Sequence, residues 1–85
     1  MNKSSNMNKK EQIAYNYLKS LGYKNIKFNV NSSPDFETKD KKGWEVKPYP
    51  NYKFTENQLY NMDFNTIIIF VDKKNTIFTI PFYEI

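Results

Sequence analysis

Ser33-Pro34-Asp35-Phe36, followed after a lysine-rich turn by Gly43-Trp44-Glu45-Val46-Lys47, is the stretch on which the fold turns. Pro34 bars Ser33 from the helical region, so the chain enters Asp35 extended. Lys39-Asp40-Lys41-Lys42 with Gly43 supplies turn chemistry and predicts a hairpin of two strands, Pro34–Thr38 and Gly43–Pro48. Strand side chains alternate between faces, so Trp44 and Val46 point one way and Glu45 and Lys47 the other. A symmetric pairing about Asp40 sets Thr38 opposite Lys42, Phe36 opposite Trp44 and Asp35 opposite Glu45. Opposed residues have Cβ atoms about 4.5–5.5 Å apart. Phe36 and Trp44 then stack on a core face, while Asp35 and Glu45 converge on the other. A slip of one residue would undo this convergence.

Outward from the hairpin, the elements follow from periodicity. Upstream, Ile13, Ala14, Tyr17, Leu18 and Leu21 form one apolar stripe of a helix over Lys9–Leu21. Asn8 and Glu11 match a capping box at its start, and Gly22 is the expected left-handed stop. Met1–Asn8 reads as a frayed polar tail, leaving residues 9–85 as the domain. Asn25–Val30 alternates as a strand, with Ile26, Phe28 and Val30 on one face. Downstream, Pro48-Tyr49-Pro50-Asn51 ends the second hairpin strand. A short helix starts near Thr55 and runs to about Met62, with Phe54 and Leu59 placed as a hydrophobic staple. Thr66–Val71 is a β-branched and aromatic run of the kind buried on both faces. Asp72–Asn75 is a turn, and Thr76–Ile80 is a last strand that Pro81 confines to an edge or a strand end. Phe28, Phe36, Trp44 and Phe70 are core candidates. The order is α-β-β-β-α-β-β, an α/β fold in which helices pack on a small mixed sheet.

Composition narrows the chemistry. The chain has 85 residues, enough for one domain. A domain of that size buries only roughly 60–65% of its unfolded surface, so dimerisation is a ready source of extra stability. It has no cysteine and no histidine, which excludes disulfides, thiolate zinc sites, imidazole bases and Ser-His triads. Catalysis has to use carboxylates, Lys, Tyr, backbone groups or an oxygen-bound metal. The net charge is +4 and all 13 basic residues are Lys. That balance suits an anionic partner, while the lack of Arg argues against reading of base sequence. The apolar run Ile67–Val71 is too short to span a membrane, and the polar start has no signal-peptide core. A cytoplasmic protein is the expectation.

Two converging carboxylates repel unless something neutralises them. A hard cation does so, and Mg²⁺ is typically held by one or two carboxylates with water and substrate phosphate. Lys47 beside them makes sense as a charge stabiliser or proton acceptor at a negative reacting group.

Pro34-Asp35 followed by Glu45-Val46-Lys47 resembles the motif of the PD-(D/E)XK nuclease superfamily, and the resemblance covers the chain from Lys9 to Ile80. It implies a minimal restriction-endonuclease-like core. It implies Mg²⁺ or Mn²⁺ on Asp35, Glu45 and the Val46 carbonyl, with Lys47 activating or orienting the attacking water. Many members also carry a Glu on the first helix, matched by Glu11, and several a Gln on the helix after the Lys strand, matched by Gln58. With Gln58 the chain is most similar to stand-alone VRR-type nucleases and archaeal-type Holliday junction resolvases, although it carries no target-recognition insert.

The expectation is a metal-dependent DNA endonuclease, structure-selective in the manner of a junction resolvase. One chain holds one centre, so cutting two strands implies a homodimer. Lys39, Lys41, Lys42 and Lys53 are candidates for phosphate contacts, and Tyr49 and Tyr52 for stacking on bases. Each has a plainer reading: a solvated turn for the lysines, surface aromatics for the tyrosines. Glu11 and Gln58 are equally well placed as the N3 members of capping boxes on Asn8 and Thr55. The rival functions are a nucleic-acid-binding module without catalysis, and a small phage or plasmid interaction protein.

Overall fold

The computed structural model describes residues 7–40 and 42–85. Within it the order is α1 (Lys9–Ser20), β1 (Lys27–Phe28), β2 (Phe36–Glu37), β3 (Gly43–Pro48), α2 (Glu56–Asn61), β4 (Thr66–Val71) and β5 (Ile77–Pro81), closed by a 3₁₀ turn over Phe82–Glu84. The five strands form one mixed sheet in the order β1-β2-β3-β4-β5. All neighbours are antiparallel except β3 and β4, whose parallel pairing is connected through α2. The protein is therefore α/β.

Helix α1 starts where its cap chemistry dictates. The Asn8 side chain accepts the Glu11 N–H at 2.8 Å, and the Glu11 carboxylate accepts the Asn8 N–H at 2.9 Å. Met7 packs against the core, so the last part of the expected tail is packed; the rest of it, residues 1–6, lies outside the described residues. Gly22 takes the left-handed conformation at φ 101° and ends the helix. Ala14 and Leu18 are fully buried, but Leu21, expected on the same stripe, is half exposed. It is the C-cap, beyond the last turn that faces the sheet.

The hairpin register is the expected one. Phe36 pairs with Trp44 and Glu37 with Gly43, and the Thr38 N–H reaches the Lys42 carbonyl at 3.1 Å. A side-chain tie holds the turn end. Trp44 Nε1 donates to Thr38 Oγ1 at 3.0 Å, Thr38 Oγ1 donates to Asp40, and the Tyr23 hydroxyl donates to Asp40 at 2.7 Å. The Thr38 hydroxyl above all holds the Asp40 carboxyl below the ordinary range, and Asp40 in turn pushes the Tyr23 hydroxyl up. Fixing the turn fixes the register, which decides the face of every later side chain.

Strand β3 keeps its expected bounds, Gly43–Pro48, and so does β4. β1 and β2 are shorter, two residues each. Asn31 has a positive φ of 59°, and the chain turns away after Phe28, leaving Val30 exposed instead of in line with Ile26 and Phe28.

Register sorts the side chains into two faces. On one, Trp44 stands beside Ile67, and Val46 beside Ile69. Phe36, Trp44, Ile69 and Val71 pack there with Ala14 and Leu18 of α1 and with Ile26. On the other, Glu45 stands beside Ile68, which pairs in turn with Ile80, and Lys47 beside Phe70, which pairs in turn with Phe78. Met62, Ile68 and Phe70 form its small buried cluster, with Tyr52, Phe54, Ile80 and Phe82 half covering it. Leu59, expected as the staple partner of Phe54, is 48% exposed. Phe54 turns instead to Tyr52 and Phe82, with ring centroids 5.7 and 6.1 Å away. Helix α2 buries no residue at all.

Candidate functional site

The β2–β3 ladder stops at Phe36 and Trp44, and the site begins where it stops. Pro34 has no N–H to offer the next rung, so β3 has an open edge at Val46. The Val46 N–H is taken by the Asp35 carboxylate at 2.9 Å. Strand geometry sends the carbonyl of an extended residue out of the same edge as its N–H, so the Val46 oxygen leaves β3 beside Asp35. Asn29 pins the Asp35 segment: its N–H donates to the Asp35 carbonyl at 2.8 Å, and its amide donates to the Pro34 carbonyl at 2.8 Å.

Glu45 is 1% exposed and Lys47 is 7% exposed. Glu45 accepts the Ser33 hydroxyl on Oε1 at 2.8 Å. Its Oε2 accepts the Gln58 amide at 3.0 Å and faces the Lys47 ammonium at 3.7 Å. Lys47 donates to Gln58 Oε1 at 2.7 Å and lies 5.0 Å above the Phe54 ring. Gln58 thus bridges the pair with both ends of its amide. It is also the N3 residue of α2, where its Oε1 accepts the Thr55 N–H at 3.0 Å and its own N–H reaches Thr55 Oγ1 at 3.1 Å. The capping reading and the site reading of Gln58 hold together.

Desolvation works against the charge of both acids. Desolvation first, and then the neighbouring Glu45 charge, push Asp35 up to about 7 from the ordinary 3.8. Glu11 adds a smaller push in the same direction, and it lines the same cleft as Asp35 while capping α1. Desolvation likewise raises Glu45, against the pull of Ser33 and Lys47. A polar cleft of about 290 Å³ opens over these groups, lined by Glu11, Asn31, Ser33, Asp35, Asn57 and Gln58 among others.

Glu11, Asp35 and Gln58 thus line one cleft, and Glu45 and Lys47 lie buried behind it, joined to its lining through Ser33 and Gln58. Lys39 and Lys42 do not join them. They lie at the hairpin turn, the opposite end of β3 from Lys47, and Lys42 sits 3.9 Å from Asp40. Lys41 lies outside the described residues. Lys53 is exposed in the loop before α2. Tyr52 packs on Phe70 with centroids 4.8 Å apart, and Tyr49 stands edge-on to Phe78 at 4.7 Å. Both rings belong to the second face of the sheet and not to the cleft. Sequence reasoning missed Ser33, reading it only as the extended residue before Pro34. Its place two residues before Asp35 was the available signal. It also missed Phe54 as the floor under Lys47.

Among the described residues, no three His, Cys, Asp or Glu side chains gather as a metal-holding group. The donor set here is smaller, two carboxylates and a backbone carbonyl, which suits Mg²⁺ with its retained waters. Two acids, Glu45 buried and Asp35 half-buried, whose ionisation is opposed by desolvation and for Asp35 also by Glu45, fit a site completed by a cation. No family profile, curated protein or solved structure matches the chain.

Proposed function

We propose that the protein is a metal-dependent DNA endonuclease with a minimal restriction-endonuclease-like core. The observation that carries the reading is the meeting of Asp35, Glu45 and Lys47 at an open strand edge, with Gln58 joining the last two. The element order and the parallel β3–β4 pair around α2 support the same reading. Asp35, Glu45 and the Val46 carbonyl would hold Mg²⁺ or Mn²⁺, which when bound supplies Lewis acidity and a more acidic water.

The chain's own groups do the rest. Gln58, which lines the cleft, holds the Lys47 ammonium just behind it, where its charge would act on the negative charge growing on a phosphoryl group. Ser33 and Gln58 fix the two oxygens of Glu45 and so fix its direction. Glu11, across the cleft, is an acceptor for a water in the outer shell. One chain carries one such centre, so a branched or double-stranded substrate takes two copies. Structure-selective cutting, as of a four-way junction, suits a chain whose basic residues are all Lys.

The test is Mg²⁺-dependent cleavage of linear and four-way DNA by the purified protein, compared with Glu45→Gln and Lys47→Ala. Each substitution is expected to reduce cleavage by at least about a hundredfold, with the far-UV circular dichroism unchanged. Cleavage that survives both would remove the site from the reaction. DNA binding with no cleavage in Mg²⁺ or Mn²⁺ would leave a binding module in place of a nuclease.

A further inference from the structure

A second groove opens beside the cleft, at the β1 end of the sheet. It measures about 420 Å³ and is lined by Tyr15 of α1 and by Lys24, Lys27, Phe28 and Val30 among others. Groove and cleft meet at two points. Glu11 lines the cleft and Tyr15 the groove, and residues four apart on a helix are neighbours on one face. Asn31 lines the cleft and Val30, the residue before it, lines the groove. The row of α1 that starts at Glu11 continues through Tyr15 to Lys19, whose Nζ stands 5.7 Å over the Tyr15 ring. That row is about 12 Å long at about 1.5 Å per residue, the length of roughly three stacked nucleotides at about 3.4 Å each.

The groove is aromatic beneath and basic along its length. Tyr15 and Phe28 rest on the buried Phe36, with ring centroids 6.1 and 5.2 Å from it, and both stay half-buried. The two charged residues of the lining are lysines, and both are exposed. Glu37 lies 3.7 Å from Lys27, but the two side chains are 72% and 47% exposed. So open a pair holds its lysine only weakly against a phosphate.

We propose that this groove holds a single strand of DNA, the few nucleotides that run on from the phosphate bound at the cleft. Lysines along the backbone with rings against the bases are how a single strand is gripped. A duplex keeps its bases stacked on one another and offers no free base face to Tyr15 or Phe28. An acidic peptide would meet Lys19, Lys24 and Lys27 and leave the rings unused. Lys19, long and exposed, covers Tyr15 in the free protein and can turn to a phosphate when a base takes its place. The substrate so selected is a strand left unpaired beside the cut, as in an overhang, a flap or a splayed arm. The place of the cut rests on the nuclease reading above; the seat of the strand in the groove does not.

The experiment is fluorescence anisotropy of a short labelled oligothymidine, and of a blunt duplex of equal length, with the full chain in EDTA across a salt series. The single strand is expected to bind roughly tenfold tighter or more, the worth of one or two stacked bases. Lys24→Ser with Lys27→Ser should reduce the salt slope for the single strand by about 1.4, at ~0.7 for each phosphate contact. Tyr15→Leu, which keeps an apolar side chain over Phe36, should weaken single-strand binding roughly fivefold or more and leave the duplex unchanged. Lys73→Ser with Lys74→Ser, the same change of charge in the turn between β4 and β5 across the sheet, should leave the slope as it is. Equal slope losses from the two double variants, a duplex bound as tightly as the single strand, or a glutamate oligopeptide bound as tightly as the oligothymidine would overturn the proposal. Should Tyr15→Leu fail to fold, the lysine pair, exposed throughout, still decides. Mg²⁺-dependent cleavage with single-strand binding unmoved by the groove variants would remove the groove and keep the nuclease. Groove-dependent binding without cleavage would keep the groove and remove the nuclease.

Discussion

On one face of the sheet, Phe36, Trp44, Ile69 and Val71 close against a twelve-residue helix. On the other, Glu45 and Lys47 occupy the rows that continue into Ile68 and Phe70, and the sheet runs out into exposed rings. The same five strands supply both. Every charged residue that β3 turns to that side is a residue lost to the core there. The first face therefore has to hold the fold, and the second is free to hold a buried ion pair and an unfinished apolar surface. The wide cost of burying Glu45 and Lys47 is offset by Ser33 and Gln58, which leave no buried side-chain polar atom without a partner among the described residues.

The sharpest way to break this comparison is to truncate one ring on each side. Phe36→Ala, at a fully buried position, should cost about 3–5 kcal/mol in urea unfolding. Phe78→Ala, measured on dilute protein, should cost under about 1 kcal/mol. Equal losses would mean that the second face carries as much of the fold as the first.

The site should also weaken the protein as its acids ionise. Asp35 titrates at about 7 in the fold against an ordinary 3.8, so the folded state holds more protons than the unfolded state between those values. Stability is then greatest near the acid end, falls as pH rises from about 4 to about 7, and levels off above, a total of ~2–4 kcal/mol. Glu45, also raised, acts in the same direction. Asp40, held below 3.8, acts oppositely but only at more acid pH. Asp35→Asn should flatten this slope and make the protein more stable than wild type at pH 8 while abolishing Mg²⁺-dependent cleavage. Urea midpoints across pH 4–8 decide it, and an unchanged slope in the variant would place the strain elsewhere.

A smaller effect joins the two faces. A Cβ on Gly43 would sit 2.7 Å from the Pro34 ring, too close for a rigid ring to tolerate. Gly43→Ala should therefore cost about 1–3 kcal/mol and move the Ser33–Asp35 segment, so cleavage should fall further than the stability loss explains. Smallest is Tyr23→Phe, which removes one bond from the tie on Asp40 and should cost about 0.5–1.5 kcal/mol with cleavage intact.

Much of this was legible before any coordinates. The Gly43–Pro48 and Thr66–Val71 strands could be read because their hydrophobic patterns have a clear period or none to confuse it. The hairpin register followed from turn chemistry, and the capping pairs Asn8–Glu11 and Thr55–Gln58 from spacing alone. Leu59, Leu21 and Val30 were read as buried from local pattern, and all three are exposed. Leu21 and Val30 lie beyond the ends of their elements, and Leu59 lies on a helix that buries no residue; period alone does not say where an element stops facing the sheet. Lys39 and Lys42 were close to Glu45 in sequence but lie along the strand from it, toward the turn.

Local sequence determined which residues alternate, which caps close and which two carboxylates a hairpin can oppose, because those depend on neighbours within a few positions. Only the assembled sheet decided that Gln58 would span Glu45 and Lys47, that Ser33 would hold Glu45, and that one face would be left open. Those depend on how far β2 pairs before Pro34 ends it and on how little α2 covers, which are outcomes of packing between segments distant in the chain.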